Sequence, residues 1–207
     1  LIQMKLTTLL VSTLCLTSHA LHAGTHVWSG AAANNYWSTA ANWSSGGVPS
    51  ANEAQCILVF PNSFTGPVTN NIPGLRVDSM VFLGSGVSVQ GTAGVTLTLK
   101  GSPGTNVFSA GANYVLDGLP IVLEGTNRVQ SAVTLGLYTR LSGNGGLETR
   151  GSIRLDGESA NTFTGSVVVK SGLLTLGKET VPVGQPLGLV SVPGLLVIEE
   201  GQVLLAS

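Results

Sequence analysis

The feature that most constrains this chain is a repeated one: short apolar runs are closed by glycine at nearly constant intervals. Gly101 and Gly125 are 24 residues apart, Gly157 and Gly177 are 20 apart, and Gly177 and Gly201 are again 24 apart. Such a period is typical of solenoids, in which each coil stacks on the next because one coil cannot bury its apolar side alone. The sequence therefore predicts a stack of short coils.

The apolar residues within each run follow the period of a β-strand. They alternate in Val95–Leu99, Val167–Val169 and Leu174–Leu176, and no convincing helical pattern follows Gly24. Glycine, with 28 of 207 residues, supplies turn conformations that β-branched residues cannot adopt. We therefore predict an all-β fold, a parallel β-helix whose coils contain two or three short strands.

An antiparallel β-sandwich is the alternative architecture. It would need hairpins, which Asn-Gly and Asp-Gly pairs favour. Such pairs occur at Asp117-Gly118, Asn144-Gly145 and Asp156-Gly157. The direction of neighbouring strands distinguishes the two architectures, since a sandwich of this kind pairs its strands antiparallel.

The beginning of the chain is typical of a secretory signal peptide. Lys5 precedes an apolar run from Leu6 to Leu16, and small residues follow up to Ala23. The run is too short to span a bilayer. We therefore expect residues 1–23 to be removed and the protein to be exported, either to the extracellular space or to the outer-membrane surface.

The rest of the chain divides by composition into two parts. Residues 24–73 are expected to form an N-terminal cap with the first strands, and residues 74–207 to form the β-helix coils. Because the apolar strand pattern runs almost to Ser207, the coils are expected to be incomplete at the C-terminus.

Four aromatic residues are concentrated near the start of the cap: Trp28, Tyr36, Trp37 and Trp43. The first coil of a solenoid exposes an apolar end and a strand edge, which native proteins cover. We predict that these rings seal that end. Flat aromatic rings also stack on sugars, so the same four residues form the candidate glycan-binding site.

Charge and ligand content exclude several functions. The formal net charge is −1 and the charges are scattered, whereas nucleic acids and membrane surfaces require clustered basic residues. We therefore expect no nucleic-acid partner and no membrane insertion by this segment. With few His and Cys residues and no local ligand spacing, we expect no cofactor and no metal site. Cys56, left alone after signal removal, is interpreted as a small buried hydrophobe, with a reactive or intermolecular thiol as the alternative.

Acidic residues on one face of a β-helix are the candidates for glycan cleavage, which uses paired carboxylates. The candidate groups are Glu124 with Arg128, and Glu148, Asp156 and Glu158 with Arg150 and Arg154. Asp156 and Glu158 are also the candidate pair for a hard cation, although solvated turn carboxylates are the favoured interpretation. Alternating charges keep a surface soluble without chemistry, so we expect no enzyme unless two carboxylates from neighbouring coils converge in a groove.

Residues 141–178 carry five pieces of a longer motif in a fixed order. The pieces are Gly145-Gly146-Leu147, Ile153 to Gly157 with Leu155, Asn161 to Gly165 with Phe163, Val167 to Val169, and Gly172 to Leu176 with Leu174. This region resembles the autotransporter-associated β-strand repeat of large bacterial surface and secreted proteins. Independently of the family, Asn161 suits a turn, either in a left-handed conformation or in a ladder between coils. Phe163 is expected to point into the core.

The resemblance implies a right-handed parallel β-helix in an exported passenger segment. It implies a structural or adhesive role, with surface glycans or the surfaces of host or neighbouring cells as partners, and no catalytic residue. Two other functions stay open at this point. One is a polysaccharide lyase or hydrolase, and the other is a carbohydrate-binding module that uses the aromatic residues of the cap.

Overall fold

The alternating runs form sixteen β-strands in the part of the chain that the structure describes. The structure is a computed structural model and describes residues 23–51, 53–102, 105–110, 114–178 and 192–205. The predicted signal peptide lies outside the described residues, apart from Ala23, at which the first strand begins. Within these ranges, one 3₁₀ turn at Ala40–Asn42 is the only helical element.

The strands lie in three stacks, each formed by equivalent strands of successive coils. The first stack contains β1 (Ala23–Trp28), β3 (Gln55–Phe60), β6 (Ser79–Phe82), β9 (Asn106–Ala110) and β15 (Leu196–Ile198). The second contains β4 (Gly66–Asn70), β7 (Val87–Gly91), β10 (Tyr114–Asp117) and β16 (Gly201–Leu205), and the third contains β5 (Arg76–Val77), β8 (Leu97–Gly101) and β12 (Leu141–Gly143). Three long strands run through more than one stack, namely β11 (Ile121–Tyr138), β13 (Gly146–Gly157) and β14 (Val167–Lys178), and β2 (Trp43–Ser45) stands outside the stacks.

Neighbouring strands within the stacks run parallel, so the predicted parallel β-solenoid is confirmed and the antiparallel sandwich is wrong. Val122 pairs with Thr98 in the preceding coil and with Ser142 in the following one, 24 and 20 residues away. These offsets match the glycine period, and the chain completes about five turns. Among the described strands, only β1 and β2 pair antiparallel.

Alternation directs every second side chain into the solenoid, where it stacks on its equivalents in the next coils. In the second stack, paired positions form an inward column of Tyr114, Leu135, Ile153 and Leu174. Each of these side chains is at most 2% exposed. A fully buried large apolar side chain contributes about 1.5–3 kcal/mol relative to an exposed one. The stacked columns are therefore the core, and each coil completes the core of the next.

Glycine turns the chain from the first stack to the second. Gly151 pairs with Gly172, and both have positive φ, 91° and 81°. A Cβ on Gly151 would lie 1.8 Å from the carbonyl oxygen of Ser131 in the preceding coil. Both the conformation and the close approach of the backbones therefore exclude a side chain at this corner.

Every second apolar residue of the strands in the 141–178 motif faces the core, whereas Val168 and Leu173 are only half-buried. Leu147, Leu155, Phe163, Leu174 and Leu176 are at most 1% exposed. The inward direction predicted for Phe163 is therefore confirmed. Equivalent positions stack in neighbouring coils, since Leu147 pairs with Val167 in β14, 20 residues further along the chain.

Asn161 acts between coils. Its Oδ1 accepts the backbone N–H of Leu141 in the preceding coil at 2.9 Å, and the side chain is 3% exposed. No non-glycine residue in the described ranges has a positive φ. The left-handed conformation considered for Asn161 is therefore wrong, and its side chain instead bonds to the backbone of the preceding coil. Such a bond satisfies a polar group that would otherwise be buried without a partner.

Aromatic rings and a reversed strand close the N-terminal end. Strand β2 pairs antiparallel with the end of β1, where Trp28 lies opposite Trp43. These two rings meet edge to face at 5.0 Å, and Trp28 and Trp37 lie 6.2 and 6.0 Å from Phe60. Phe60 in turn stacks on Phe82 at 5.0 Å. The predicted aromatic cap is therefore confirmed as a buried aromatic cluster that continues into the first coils.

Candidate functional site

A groove of about 520 Å³ lies at the corner between the second and third stacks. It is lined by turn residues of three successive coils: Asp117, Gly118, Pro120, Tyr138, Thr139, Arg140, Gly157, Glu158 and Ser159. The turns align because the register pairs Leu116 with Leu137, and Leu137 in turn with Leu155. Parallel stacking thus brings together polar side chains that are distant in the sequence.

The groove places an aromatic ring beside groups of both charges. Asp117, Arg140 and Glu158 are exposed, and Tyr138 is half-buried. The Nη2 atom of Arg140 donates to Oγ1 of Thr162 at 3.3 Å. A ring that can stack on a sugar face, with carboxylates and a guanidinium that can bond its hydroxyls, is the kind of surface that binds carbohydrate.

The aromatic ring of the groove is held in place by its surroundings. A Cβ on Gly136 would lie 2.3 Å from a carbon of the Tyr138 ring, so the ring lies close over that glycine. In the adjoining turn, Thr139 is 6% exposed and its Oγ1 donates to the carbonyl oxygen of Leu119 at 2.6 Å. The ring and the turn are therefore ordered before any ligand binds.

The tryptophan rings of the cap are buried. Trp28 and Trp37 are 0% exposed and Trp43 is 7% exposed, with its Nε1 donating to the carbonyl oxygen of Trp37 at 2.7 Å. Rings without an open face cannot stack on a sugar, so the expectation of glycan contact is corrected for these three residues. Tyr36, 45% exposed, is the member of the predicted set that faces solvent.

Glu148 lies on the outer side of the first stack between two arginines. It accepts hydrogen bonds from Nε of Arg128 at 2.8 Å and from Nε of Arg150 at 3.2 Å. Burial opposes ionisation of Glu148, but the two arginines outweigh it and hold the pKa of the carboxyl below its ordinary value. An ionised carboxylate of this kind does not suit a general acid, whose pKa must be raised.

The other acidic candidates lie on other stacks. Glu124, on the third stack, accepts a bond from Nη1 of Arg76 at 2.9 Å. Asp156, on the second stack, is 2% exposed and forms an ion pair with Arg154. Glu158 is exposed in the groove. Glu124, Glu148 and Asp156 therefore do not form one catalytic surface.

A second polar site is buried where β1 meets β3. His26 Nε2 lies 2.8 Å from Glu53 Oε2, and His26 Nδ1 lies 2.9 Å from the carbonyl oxygen of Gly47. With the sulfur of Cys56, one ligand atom from each of His26, Glu53 and Cys56 lies within 4.8 Å of the others. Parallel pairing brings them together, since it sets Gly24, two residues before His26, opposite Cys56.

Cys56 is a buried thiol. It is 0% exposed, and burial raises the pKa of its thiol well above the ordinary value, with the neighbouring Glu53 carboxylate raising it further. The backbone N–H of Cys56 donates to Oδ2 of Asp78 at 2.8 Å, and Asp78 pairs with Lys100 at 2.9 Å. The interpretation of Cys56 as a buried residue is therefore confirmed, and a free thiolate is disfavoured.

Sequence reasoning misses the His26 cluster, and of the groove it finds Glu158 only, because it searches for ligands that are close along the chain. The argument from local spacing against a metal site does not hold, since the pairing of β1 with β3 brings His26 and Cys56 together and Glu53 lies just before β3. The groove likewise unites three turns. An offset of about one coil, applied to the polar turn residues, is the signal that points to the groove.

Comparison with known proteins returns no match to a family model, to a curated protein or to a solved structure. Within the described ranges, no helix has the length and apolar content needed to cross a membrane. A functional assignment therefore depends on the geometry of the groove.

Proposed function

We propose that the chain is a structural and adhesive passenger segment of an exported bacterial protein, and that it contacts surface glycans through the groove between the second and third stacks. The observation that carries this proposal is the alignment of Asp117, Tyr138, Arg140 and Glu158 from three coils along one groove. Solenoids use extended surfaces built from successive coils for binding.

The resemblance of residues 141–178 to the autotransporter-associated β-strand repeat supports export and display. The assignment as a passenger segment and the right-handed direction of winding are both implied by this resemblance. The signal peptide expected in residues 1–23 supports the same location, at the extracellular or outer-membrane surface. The buried motif leucines and the parallel coils are compatible with this family.

The charges of the groove favour a particular class of sugar. Asp117 and Glu158 offer carboxylates, against which Arg140 offers one guanidinium. A polyanionic glycan would meet like charge, whereas neutral and amino sugars can donate to the carboxylates while one ring face stacks on Tyr138. Neutral or amino sugars are therefore the ligands that fit this surface.

Glycan-array and cell-surface binding by the full chain tests the adhesive role. We expect Tyr138→Ala and Arg140→Ala each to weaken binding by about tenfold or more, because central aromatic and arginine contacts dominate interface energies. Asn144→Ala is the matched control. It lies in a smaller groove of about 360 Å³ that contains no charged lining residue among those described, and it leaves binding unchanged.

Two results would contradict the adhesive proposal. One is a wild-type chain that binds neither glycans nor cells. The other is binding that both groove variants retain at the strength of Asn144→Ala.

Polysaccharide cleavage is the second candidate function, because Asp117 and Glu158 line the same groove. Two carboxylates on either side of a bound sugar are what glycoside hydrolysis requires. Reducing-sugar release by the wild type, lost in both Asp117→Asn and Glu158→Gln, would favour the enzyme. Binding without any release of sugar would favour the adhesive role.

A further inference from the structure

The buried cluster of His26, Glu53 and Cys56 is separate from the groove, and it offers three kinds of donor atom. They are an imidazole nitrogen, a carboxylate oxygen and a sulfur, the donors that zinc-class ions take in proteins. The three atoms lie within 4.8 Å of one another. A tetrahedral site with bonds of about 2.0–2.3 Å separates its ligands by about 3.3–3.6 Å. Small side-chain rotations therefore close the set around one ion.

The imidazole is oriented as metal-binding histidines are. The carbonyl oxygen of Gly47 can only accept, so Nδ1 of His26 donates to it. A neutral ring then has its lone pair on Nε2, which faces an oxygen of Glu53 at 2.8 Å. Two acceptors so close together need a proton or a cation between them. A backbone carbonyl on the far ring nitrogen is the usual support for a metal ligand.

The cluster is shielded from water. The side chains of His26 and Glu53 are 2% and 9% exposed, and Cys56 is fully buried. A Cβ on Gly24 would lie 2.5 Å from His26 Nε2 and 2.7 Å from Glu53 Oε2. Glycine at this position thus keeps the two ligand atoms free of a side chain that would separate them.

Charge balance permits a divalent ion to replace two protons. Without metal, one proton lies between His26 Nε2 and Glu53 Oε2 and another on the sulfur of Cys56, so the cluster has a net charge of zero. Binding of one M²⁺ releases both protons to water, and leaves a neutral imidazole, a carboxylate, a thiolate and the ion, again with a net charge of zero. A buried site that stays neutral avoids the cost of burying an unpaired charge. The neighbouring Asp78 and Lys100 compensate each other.

We propose that His26, Glu53 and Cys56 bind a zinc-class divalent ion that fastens the N-terminal strand to the coils. The ligands come from β1, from the segment before β3 and from β3 itself, so one ion joins three parts of the chain. Mg²⁺ and Ca²⁺ are disfavoured as the bound ion, because they prefer sites made of oxygen donors. Three protein ligands leave a fourth tetrahedral position for water.

Zinc and cobalt binding by the metal-stripped full chain tests this site. We expect one equivalent of Zn²⁺ to bind at pH 7 with release of about two protons per ion. Co²⁺ is expected to give tetrahedral d–d bands and a thiolate-to-cobalt charge-transfer band. Bound Zn²⁺ is also expected to slow alkylation of Cys56 by a small thiol reagent.

Variants assign the ligands. Cys56→Ser removes the charge-transfer band, and Glu53→Gln weakens zinc binding by about tenfold or more. The matched control is Glu199→Gln, which alters an exposed carboxylate outside the cluster and keeps the band, the affinity and the stoichiometry. Because proton release and thiol protection are measured on the wild type, the test does not depend on the folding of a variant. A wild type that binds no zinc would overturn the proposal, as would a cobalt spectrum without a thiolate band or a band that survives Cys56→Ser.

Discussion

The N-terminal end and the coils between residues 126 and 176 exclude water by opposite means. At the end, the ring of Trp28 meets Trp43 at 87° and Phe60 at 42°, so the rings pack at different angles. In the coils, side chains such as Ile153 and Leu174 occupy paired positions and stack in register. A coil needs the same shape as its neighbours, whereas an end faces no further coil and needs large rings that fill an irregular space. Repetition therefore explains the middle of a solenoid but not its terminus.

The two regions also treat charge differently. At the N-terminal end, His26 and Glu53 are paired in the interior, 2% and 9% exposed. In the coils, Glu148 and its arginines lie on the outer side, where water reaches part of each arginine. Loss of a buried partner leaves an unpaired charge, while loss of an outer one is partly compensated by solvent. The N-terminal end of the solenoid is thus expected to be more sensitive to polar substitutions than its faces.

The largest effect is expected where repetition is tightest. Gly151→Val combines a φ of 91° with a Cβ position 1.8 Å from a neighbouring carbonyl oxygen, so we expect a loss of more than about 4 kcal/mol of unfolding free energy, or no folding. Urea unfolding followed by circular dichroism measures it. Gly94→Val is the matched control, since its φ is 78° and nothing lies within 4 Å. It should lose about 1–3 kcal/mol from backbone strain alone. Equal losses would show that close coil contact is not the limiting factor.

The next largest effect on stability is expected at the aromatic cluster of the N-terminal end. Trp28→Ala removes a fully buried ring from the N-terminal end, and we expect a loss of about 3–5 kcal/mol, because neighbouring rings of irregular shape cannot close the cavity. Urea unfolding measures the loss, and binding of a hydrophobic dye reports the exposed interior. Tyr36→Ala, at a ring that is 45% exposed, should change stability by less than about 0.5 kcal/mol. A small loss of unfolding free energy in Trp28→Ala would contradict the proposed difference between the N-terminal end and the coils.

A smaller effect depends on pH. The pKa of Glu148 in the folded chain is lowered by its arginines from an unfolded value of about 4.3. Its stabilisation is therefore fully present above the unfolded pKa and is lost as the pH falls through the folded pKa. We expect Glu148→Gln to lose about 1–2 kcal/mol at pH 7, and the difference from the wild type to shrink as the pH falls below the unfolded pKa and through the folded one. Paired urea titrations at pH 7 and at successively lower pH measure this, and a loss independent of pH would indicate a packing role only.

The smallest effect is expected for an exposed ion pair. Lys170 Nζ lies 2.6 Å from Glu199 Oε1, and the two side chains are 29% and 45% exposed. Glu199→Gln should lower the free energy of unfolding by less than about 0.5 kcal/mol, because solvent screens such pairs. The difference should vanish in about 1 M salt. A loss above about 1 kcal/mol would mean that the faces rely on charge as much as the N-terminal end does.

The coils are predictable from the sequence because the signals that specify them are local. Alternation identifies inward side chains such as Leu174, and glycine marks corners such as Gly172. The sites are not local. Paired residues are separated by 18 positions at Leu135 and Ile153 but by 29 at Leu174 and Val203. An offset of about one coil points to the groove, but because the offset varies between coils it does not fix which side chains meet, and the His26 cluster does not follow from it.

The aromatic cap illustrates how far composition can lead. The concentration of tryptophans predicts a seal, and the same concentration allows a sugar-binding surface, since both uses need flat apolar rings. Only the neighbours decide between them. Phe60 and the reversed strand β2 enclose Trp28 on the inside and at the edge, and these contacts join residues more than ten positions apart. Burial, and with it the role of the rings, is therefore a property of the assembled coils.

The reversed strand β2 gives the molecule a polarity. A second copy that approached this pole as an additional coil would meet a strand running the wrong way at Trp43–Ser45, where a parallel template would be needed. Head-to-tail filaments require two complementary ends, so blocking one end prevents the addition of further copies. Strand β2 thus opposes growth by a further parallel coil where it covers Val27 and Trp28.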